Sequence, residues 1–242
     1  MDEPVDALVR IQAAVRKAQR TASVGFPLSF VRGNGEPPML SRLMRGGRGG
    51  EVRLRLYLTL RMQASAPPFH LPGRTSRSLA GLMNLPSDTG PRQVTDALKW
   101  LEVNQLLEKT PTKGKPASLT LLKPDGSGDP LSNRWEKRYL TLPVELWTLG
   151  WILRLNGRSL AVYTALRELT GGTKLDGAVM PGDRKVQYGM SDDTWTRATK
   201  ELRDLGILYT RSEKYGDDEH DVRRRLRYWL RDLSEVGKPT SW

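Results

Sequence analysis

Three groups of side chains in the first half of the chain carry hydrogen-bond donors at spacings suited to a polyanion. Arg92, Asp96 and Lys99 fall on one face if their stretch is helical, with Gln93 at its edge. Arginine can pair with guanine O6 and N7, and glutamine with adenine N6 and N7. Lys113 and Lys115 set two ammonium groups on either side of Gly114, just after Thr112. Arg74, Ser76 and Arg77 gather further donors ahead of an apolar run, the kind of group that holds register on phosphates. Other chemistries lack their residues. There are no cysteines and only two histidines, His70 and His220, so neither a thiol nucleophile nor a zinc-type ligand set is available. His220-Asp221-Val222-Arg223 has the H-x-x-R spacing of tyrosine recombinases, but Tyr228 follows too closely to serve as that family's nucleophile. Asp217-Asp218-Glu219 reads as a solvated loop. No catalytic residue, cofactor or metal is expected.

The elements that must position these donors lie between Thr75 and Leu122. Leu79, Leu82 and Met83 mark one face of a short helix. Leu85-Pro86-Ser87-Asp88 breaks it, since proline cannot continue a helix and Ser and Asp favour turns. Pro91 suits the first turn of the next helix. Val94, Ala97, Leu98 and Leu101 then recur at i, i+3, i+4 and i+7, a core-facing stripe. Leu106 to Thr110 reads as a strand, Lys113-Gly114-Lys115 as a hairpin loop, and Ser118 to Leu122 as the return strand. Helix, turn, helix and a basic hairpin predict a winged helix-turn-helix, whose second helix, here Gly90 to Asn104, lies in the DNA major groove.

The 242 residues leave room for two domains. Net charge is +12, with an isoelectric point near 10.1, an excess that points to a nucleic-acid partner. No apolar run approaches the roughly 20 residues of a membrane span. Met1-Asp2-Glu3 is acidic with no apolar run after it, so no secretory signal is expected and a cytoplasmic, nucleoid-associated location follows.

Before the central stretch, Pro4 to Arg20 predicts a helix with an imperfect apolar face of Val5, Leu8, Val9, Ala13 and Val15, equally readable as a frayed arm. Thr21 to Gly50 reads as a connector rich in glycine and proline, with a turn or two of helix at Met39 to Met44 and a flexible basic linker at Arg45 to Gly50. Glu51 to Met62 is ambiguous. Val52, Leu54, Leu56, Leu58, Leu60 and Met62 alternate as in a strand. Val52, Leu56 and Leu60 also fit a helix, which a winged helix needs here. Phe69 to Gly73 supplies a short first strand, and Lys123 to Arg138 a second connector.

The second half repeats the pattern. Tyr139 to Leu142 suggests a strand, Trp147 and Trp151 core anchors, Ser159 to Thr170 a helix stopped by Gly171, and Gly182 to Tyr188 a short helix. Ser191 caps a longer helix that ends at Gly206. Ile207 to Arg211 reads as a strand, Ser212 to Asp221 as a loop, and Val222 to Leu230 as a return strand. Ala97 and Ala198, Leu101 and Leu202, Leu106 and Ile207, and Leu107 and Leu208 each differ by 101 positions. That offset supports duplication of one fold. The second presumed reading helix offers Thr194, Trp195, Arg197 and Lys200. On the last strand Arg223, Arg225 and Arg227 form a basic face with Trp229 in the same row, placed either to meet DNA or to neutralise an acidic wing.

Taken together, RGGRGGEVRLRLYLTL, DALKWLEVNQLL with its basic wing, LPVELWTLGWILRLNGRSLAVYTALREL and MSDDTWTRATKELRDLGIL resemble the tandem winged-helix proteins of high-GC Gram-positive bacteria. The resemblance spans about Pro38 to Leu230. It implies an α+β, mainly α fold with four parts. Residues 1–50 are an N-terminal helix and connector, 51–123 a first winged helix, 124–134 a linker and 135–242 a second winged helix. The expected function is sequence-specific binding of double-stranded DNA, most simply as a transcriptional regulator. A plasmid or mobile-element replication initiator or partition-site binder is one alternative. A protein-interaction subunit of a chromosome-organising complex is another. Homodimerisation fits paired sites. The expected DNA contacts are Arg74, Ser76, Arg77, Arg92, Gln93, Asp96, Lys99, Lys113, Lys115, Thr194, Arg197, Lys200, Arg223, Arg225 and Arg227.

Overall fold

The computed structural model describes residues 4–46, 48–132, 139–171, 176–181, 183–215 and 223–240. It is an α+β fold of eleven helices and small antiparallel sheets among those residues. The elements before the first sheet are α1 (Pro4–Lys17), β1 (Ser23–Pro27), a 3-10 turn at Leu28–Phe30, α2 (Met39–Met44) and α3 (Arg48–Gln63). A first unit continues with β2 (His70–Leu71), α4 (Ser76–Leu82), α5 (Gly90–Val103), β3 (Leu107–Thr112) and β4 (Lys115–Leu121). Next come β5 (Tyr139–Pro143), α6 (Glu145–Thr148) and α7 (Trp151–Arg154). A second unit holds α8 (Gly157–Thr170), β6 (Ala178–Val179), α9 (Arg184–Gln187), α10 (Asp192–Asp204), β7 (Leu208–Tyr215) and β8 (Arg223–Leu230). The helix α11 (Leu233–Val236) closes the described chain.

Helix α3 sits at the centre, and its sequence shows why. Val52, Leu54, Leu56, Tyr57, Leu58, Leu60 and Met62 are all buried, together with Arg55, Thr59 and Arg61. A helix apolar on all sides has no solvent face. The leucine alternation therefore marks burial all round and not a strand. Its two buried guanidiniums are each given acceptors. Arg55 pairs with Glu51 at 2.7 Å and donates to the Leu155 carbonyl. Arg61 donates to the Ala64 carbonyl at 2.9 Å and lies over the Phe69 ring. Desolvation lowers the Arg61 pKa to about 10. Arg20 reaches the same end of α3 and donates to the carbonyls of Met62 and Ala64, each at 3.1 Å. Cations thus meet carbonyls that a helix C-terminus leaves unpaired, where the helix dipole favours positive charge.

The amino-terminal region differs from its sequence reading. Helix α1 is no frayed arm. It packs on α3, α4 and α6 through Ala7, Leu8, Ile11, Ala14, Val15 and Ala18, while Val9 and Ala13 face outward. Residues 21–50 are not a mere connector either. Strand β1 pairs antiparallel with β5, Ser23 opposite Pro143 and Pro27 opposite Tyr139. Tyr139 to Leu142 is therefore a strand as expected, but one whose partner lies more than a hundred residues earlier. Phe26, Phe30 and Tyr57 stack in series beneath it, with centroids 4.9 and 5.8 Å apart. The end of the RGG tract is helical and not a linker: Arg48, Gly49 and Gly50 form the first turn of α3. A side-chain carbon at Gly50 would lie 2.4 Å from the Met44 carbonyl oxygen, so only glycine lets α2 approach α3.

The two units share one plan: helix, strand, helix, helix, strand, strand. Their sheets run β2-β4-β3 and β6-β8-β7, so the first strand lies against the last in both. Helix α5 buries Val94, Ala97, Leu98 and Leu101, and α10 buries Trp195, Ala198, Thr199 and Leu202. Trp147 and Trp151 are core anchors, the latter donating its indole N–H to the Gly237 carbonyl at 2.8 Å. The buried residues of both units and the amino-terminal region form one continuous cluster.

A paired substitution tests the packing role of the glycine tract. Gly50→Ala is expected to lose about 1–3 kcal/mol by overpacking, read from urea unfolding. Gly49→Ala, which meets nothing within 4 Å, is expected to gain up to about 1 kcal/mol from helix propensity. A flexible linker would leave both changes neutral.

Candidate nucleic-acid interface

In the first unit Thr75 caps α4, its hydroxyl accepting from the Ser78 amide at 3.1 Å. The four residues around Pro86 turn the chain, and Pro91 lies in the first turn of α5. Val94 and Leu101 pin that helix to the core, so Arg92, Gln93, Asp96 and Lys99 are left exposed. The hairpin after it bends at Pro111. Proline cannot donate to the strand ladder, and the register shifts between Thr110 and Thr112. Gly114, with φ of +70°, closes the turn, and Lys113 and Lys115 project into solvent on either side. Arg77 is exposed and Arg74 half-buried.

These cations share an electrostatic property. Among the described residues, none of the side chains of Arg74, Arg77, Arg92, Lys99, Lys113 and Lys115 is engaged in an ion pair or hydrogen bond. Lys109 is the exception in this unit, held by Glu102 at 2.7 Å. Ser76 has a partner within the protein. Thr95 donates its one hydroxyl proton to the Pro91 carbonyl at 2.9 Å, so Ser76 donates to Thr95, also at 2.9 Å. That leaves Ser76 joining α4 to α5, with no proton to offer a phosphate.

The second unit has the same topology, but the cations on its long helix are paired. Ser191 caps α10, its oxygen accepting from the Thr194 amide at 3.2 Å, and its hydroxyl donates to the Thr194 hydroxyl. On the outer face Arg197 is paired with Asp193 at 2.7 Å and Lys200 with Asp204 at 2.6 Å. Trp195 is buried, stacked parallel on Tyr188 and edge-on to Tyr228, so it is no part of an exposed face. On the sheet, Glu213 of β7 faces Arg225 of β8 and accepts from Arg227 at 2.9 Å, with Arg225 at 3.8 Å. Arg227 also donates to the Asp176 carbonyl. Part of this arginine row thus neutralises an acid of the preceding strand. Trp229 leans on Tyr209 and lies over Gly177, where a side-chain carbon would collide with its ring. The acidic run Asp217-Asp218-Glu219, Asp221 and the side chain of Arg223 lie outside the described residues.

Two more basic side chains are placed by the fold. Arg53 stacks on the Trp100 ring at 4.6 Å and donates to the Arg45 carbonyl, and Arg61 is buried, so neither extends the exposed surface around α5. A small cavity of about 150 Å³ between α1, α3, β2 and α4 carries Lys17, His70 and Arg74 on its rim. Spacing alone gave no sign that the amino-terminal helix would bring Lys17 to Arg74. No helix among the described residues is long and apolar enough to cross a membrane.

The chain matches no protein-family model, and no curated protein is significantly similar to it.

The Glu213 pair carries a pH dependence. The hydrogen bond from Arg227, aided by the charges of Arg227, Arg225 and Arg211, holds the Glu213 carboxyl below its ordinary value. A depressed acid stabilises the fold above the ordinary carboxylate range and loses that contribution as pH falls through its folded value. Arg227→Gln is expected to move the Glu213 midpoint up, read by carbon-detected NMR titration. An unchanged midpoint would mean that the pair does not persist in solution.

Proposed function

We propose that the protein is a sequence-specific binder of double-stranded DNA, built as two winged helix-turn-helix units, and that it acts as a transcriptional regulator. The observation that carries the reading is the contrast in charge between two units of one plan. Six basic side chains of the first unit, on α5, its wing and the start of α4, have no acidic partner among the described residues. On the equivalent helix of the second unit, Arg197 and Lys200 are each paired with an aspartate of the same helix.

A phosphate-binding surface needs cations free to release counterions. Arg92 and Gln93 then supply base-edge donors at the start of a helix, with Lys99 two turns on. Lys113 and Lys115 lie in the hairpin that a winged helix lays along the backbone or the adjacent groove. Arg74 and Arg77 anchor the register. Helix α5 is the reading helix, and α10 lacks the excess charge for an independent phosphate grip. The self-neutralised face of the second unit favours a protein contact, with a second copy of the chain as its simplest partner.

Selection of bound fragments from random genomic DNA would give the site, and binding to that site by fluorescence anisotropy would test the residues. Arg92→Ala is expected to cost about 1–3 kcal/mol and to relax preference at one base pair. Lys113→Ala and Lys115→Ala are expected to weaken binding to every sequence and each to reduce the salt slope by about one. Arg197→Ala and Lys200→Ala are expected to change affinity less than twofold. Failure to enrich any site, or equal binding by wild type and the Arg92, Lys113 and Lys115 variants, would remove the first unit from a DNA interface.

A further inference from the structure

Between the two units lies a cleft of about 590 Å³ that the DNA-binding reading does not use. One side is α2 and the start of α3, with Ser41, Met44, Arg45 and Glu51. The other is the amino-terminal ends of α8 and α10, with Gly157, Arg158, Ala161, Met190 and Thr194. Its volume falls within the ordinary range for small-molecule sites.

Three features of its lining point to a ligand. Ser41 is only 4% exposed, and its hydroxyl has no hydrogen-bond partner. A buried hydroxyl without a partner is costly, so it needs an acceptor or donor from elsewhere. Gly189 beside it carries no side chain. A carbon there would lie 2.7 Å from the Ser41 oxygen, and with φ of +63° the position favours glycine in any case. Arg45 and Arg158 are exposed at the cleft, and neither guanidinium is paired among the described residues. The acid in the lining is already engaged: Glu51 accepts from Arg55 and from the Gly157 amide at 3.0 Å. Met44, Met190 and Ala161 complete an apolar wall of adaptable, polarisable side chains that suit aromatic rings.

We propose that this cleft binds one small aromatic anion, a carboxylate or sulfonate of one to three rings. Its charged group lies on Arg45 and Arg158, its rings against Met44 and Met190, and Ser41 makes a hydrogen bond to it. The site touches elements of both units, so its occupant contacts the joint that sets their relative placement.

The test uses the full chain without DNA, so its outcome is separate from that of the DNA-binding reading. The probe is 8-anilinonaphthalene-1-sulfonate, followed by its fluorescence. The expected result is saturable binding with one site per chain. Arg158→Ala should weaken it tenfold or more. Ser41→Ala should weaken it severalfold while leaving the thermal midpoint unchanged or raised, because the hydroxyl it removes has no partner in the protein. Arg211→Ala removes the same charge from an exposed strand outside the cleft and should alter binding less than twofold. Absence of saturable binding, or equal affinity in wild type, Arg158→Ala and Ser41→Ala, would overturn the proposal.

Discussion

The burial of α3 on every side is the constraint from which the rest of the architecture follows. A sixteen-residue helix with leucines all round its circumference needs cover in every direction. It receives α5 on one flank, α2 and α8 on another, and α1 across its end. The cover comes from regions far apart in sequence. The buried arginines raise the stakes of this arrangement, since an unpaired buried charge costs several kcal/mol. Arg55 meets Glu51 and the Leu155 carbonyl just ahead of the second unit, and Arg61 meets a carbonyl and an aromatic ring. Removing the second unit or the amino-terminal helix would expose α3. The units therefore share a core, although their topologies are those of separate modules.

Identical topology with contrasting charge separates what the fold requires from what a partner requires. Both long helices keep their apolar stripe, and both sheets keep their strand order, because packing demands them. Their outer faces answer to no such demand. The pairs on α10 are exposed i,i+4 ion pairs, each worth a few tenths of a kcal/mol. They are too weak to explain the helix and would not by themselves resist a competing phosphate. Their effect is on the sum, since a face with as many acids as bases releases few counterions. On α5 Asp96 sits between Arg92 and Lys99, so the excess there comes from the hairpin lysines and the arginines ahead of α4. On the proposed reading, affinity rests on the periphery of the first unit and specificity on the first turn of α5.

What the sequence revealed followed the range of the interactions. Local signals were legible. The Ser191 cap, the break at Pro86, Pro91 at a helix start and Gly114 in a hairpin are written within a few residues of where they act. The offset of 101 positions also aligned α5 with α10 and β3 with β7. Long-range pairings were not legible. Strand β1 finds β5 across more than a hundred residues, and β6 is two residues long in a segment with no periodicity. Composition misled where one residue type has two uses. The glycines after Arg48 look like a flexible linker, yet Gly50 is there because α2 passes too close for a methyl group. The same ambiguity hid the candidate site's limits. Nothing in the helical spacing of Arg53 and Arg61 tells a guanidinium on solvent from one folded against Trp100 or Phe69.

The joint between the units combines a shared apolar core with hydrogen bonds to backbone groups. Glu51 accepts from the Gly157 amide, Arg55 donates to the Leu155 carbonyl, and Met44 packs where a side chain on Gly157 would stand. Contacts of this kind tolerate little sliding, since a hydrogen bond to a fixed amide weakens steeply with misalignment. Glu51 joins the two units at one point, accepting from the backbone amide of Gly157 at the start of α8 while pairing with the buried Arg55. A single carboxylate in both roles couples the two: losing it leaves Arg55 the Leu155 carbonyl and takes the acceptor from the Gly157 amide, while Asn156 still caps α8. A two-headed molecule whose heads must hold a fixed spacing would need such a joint, and independent modules on a flexible tether would not.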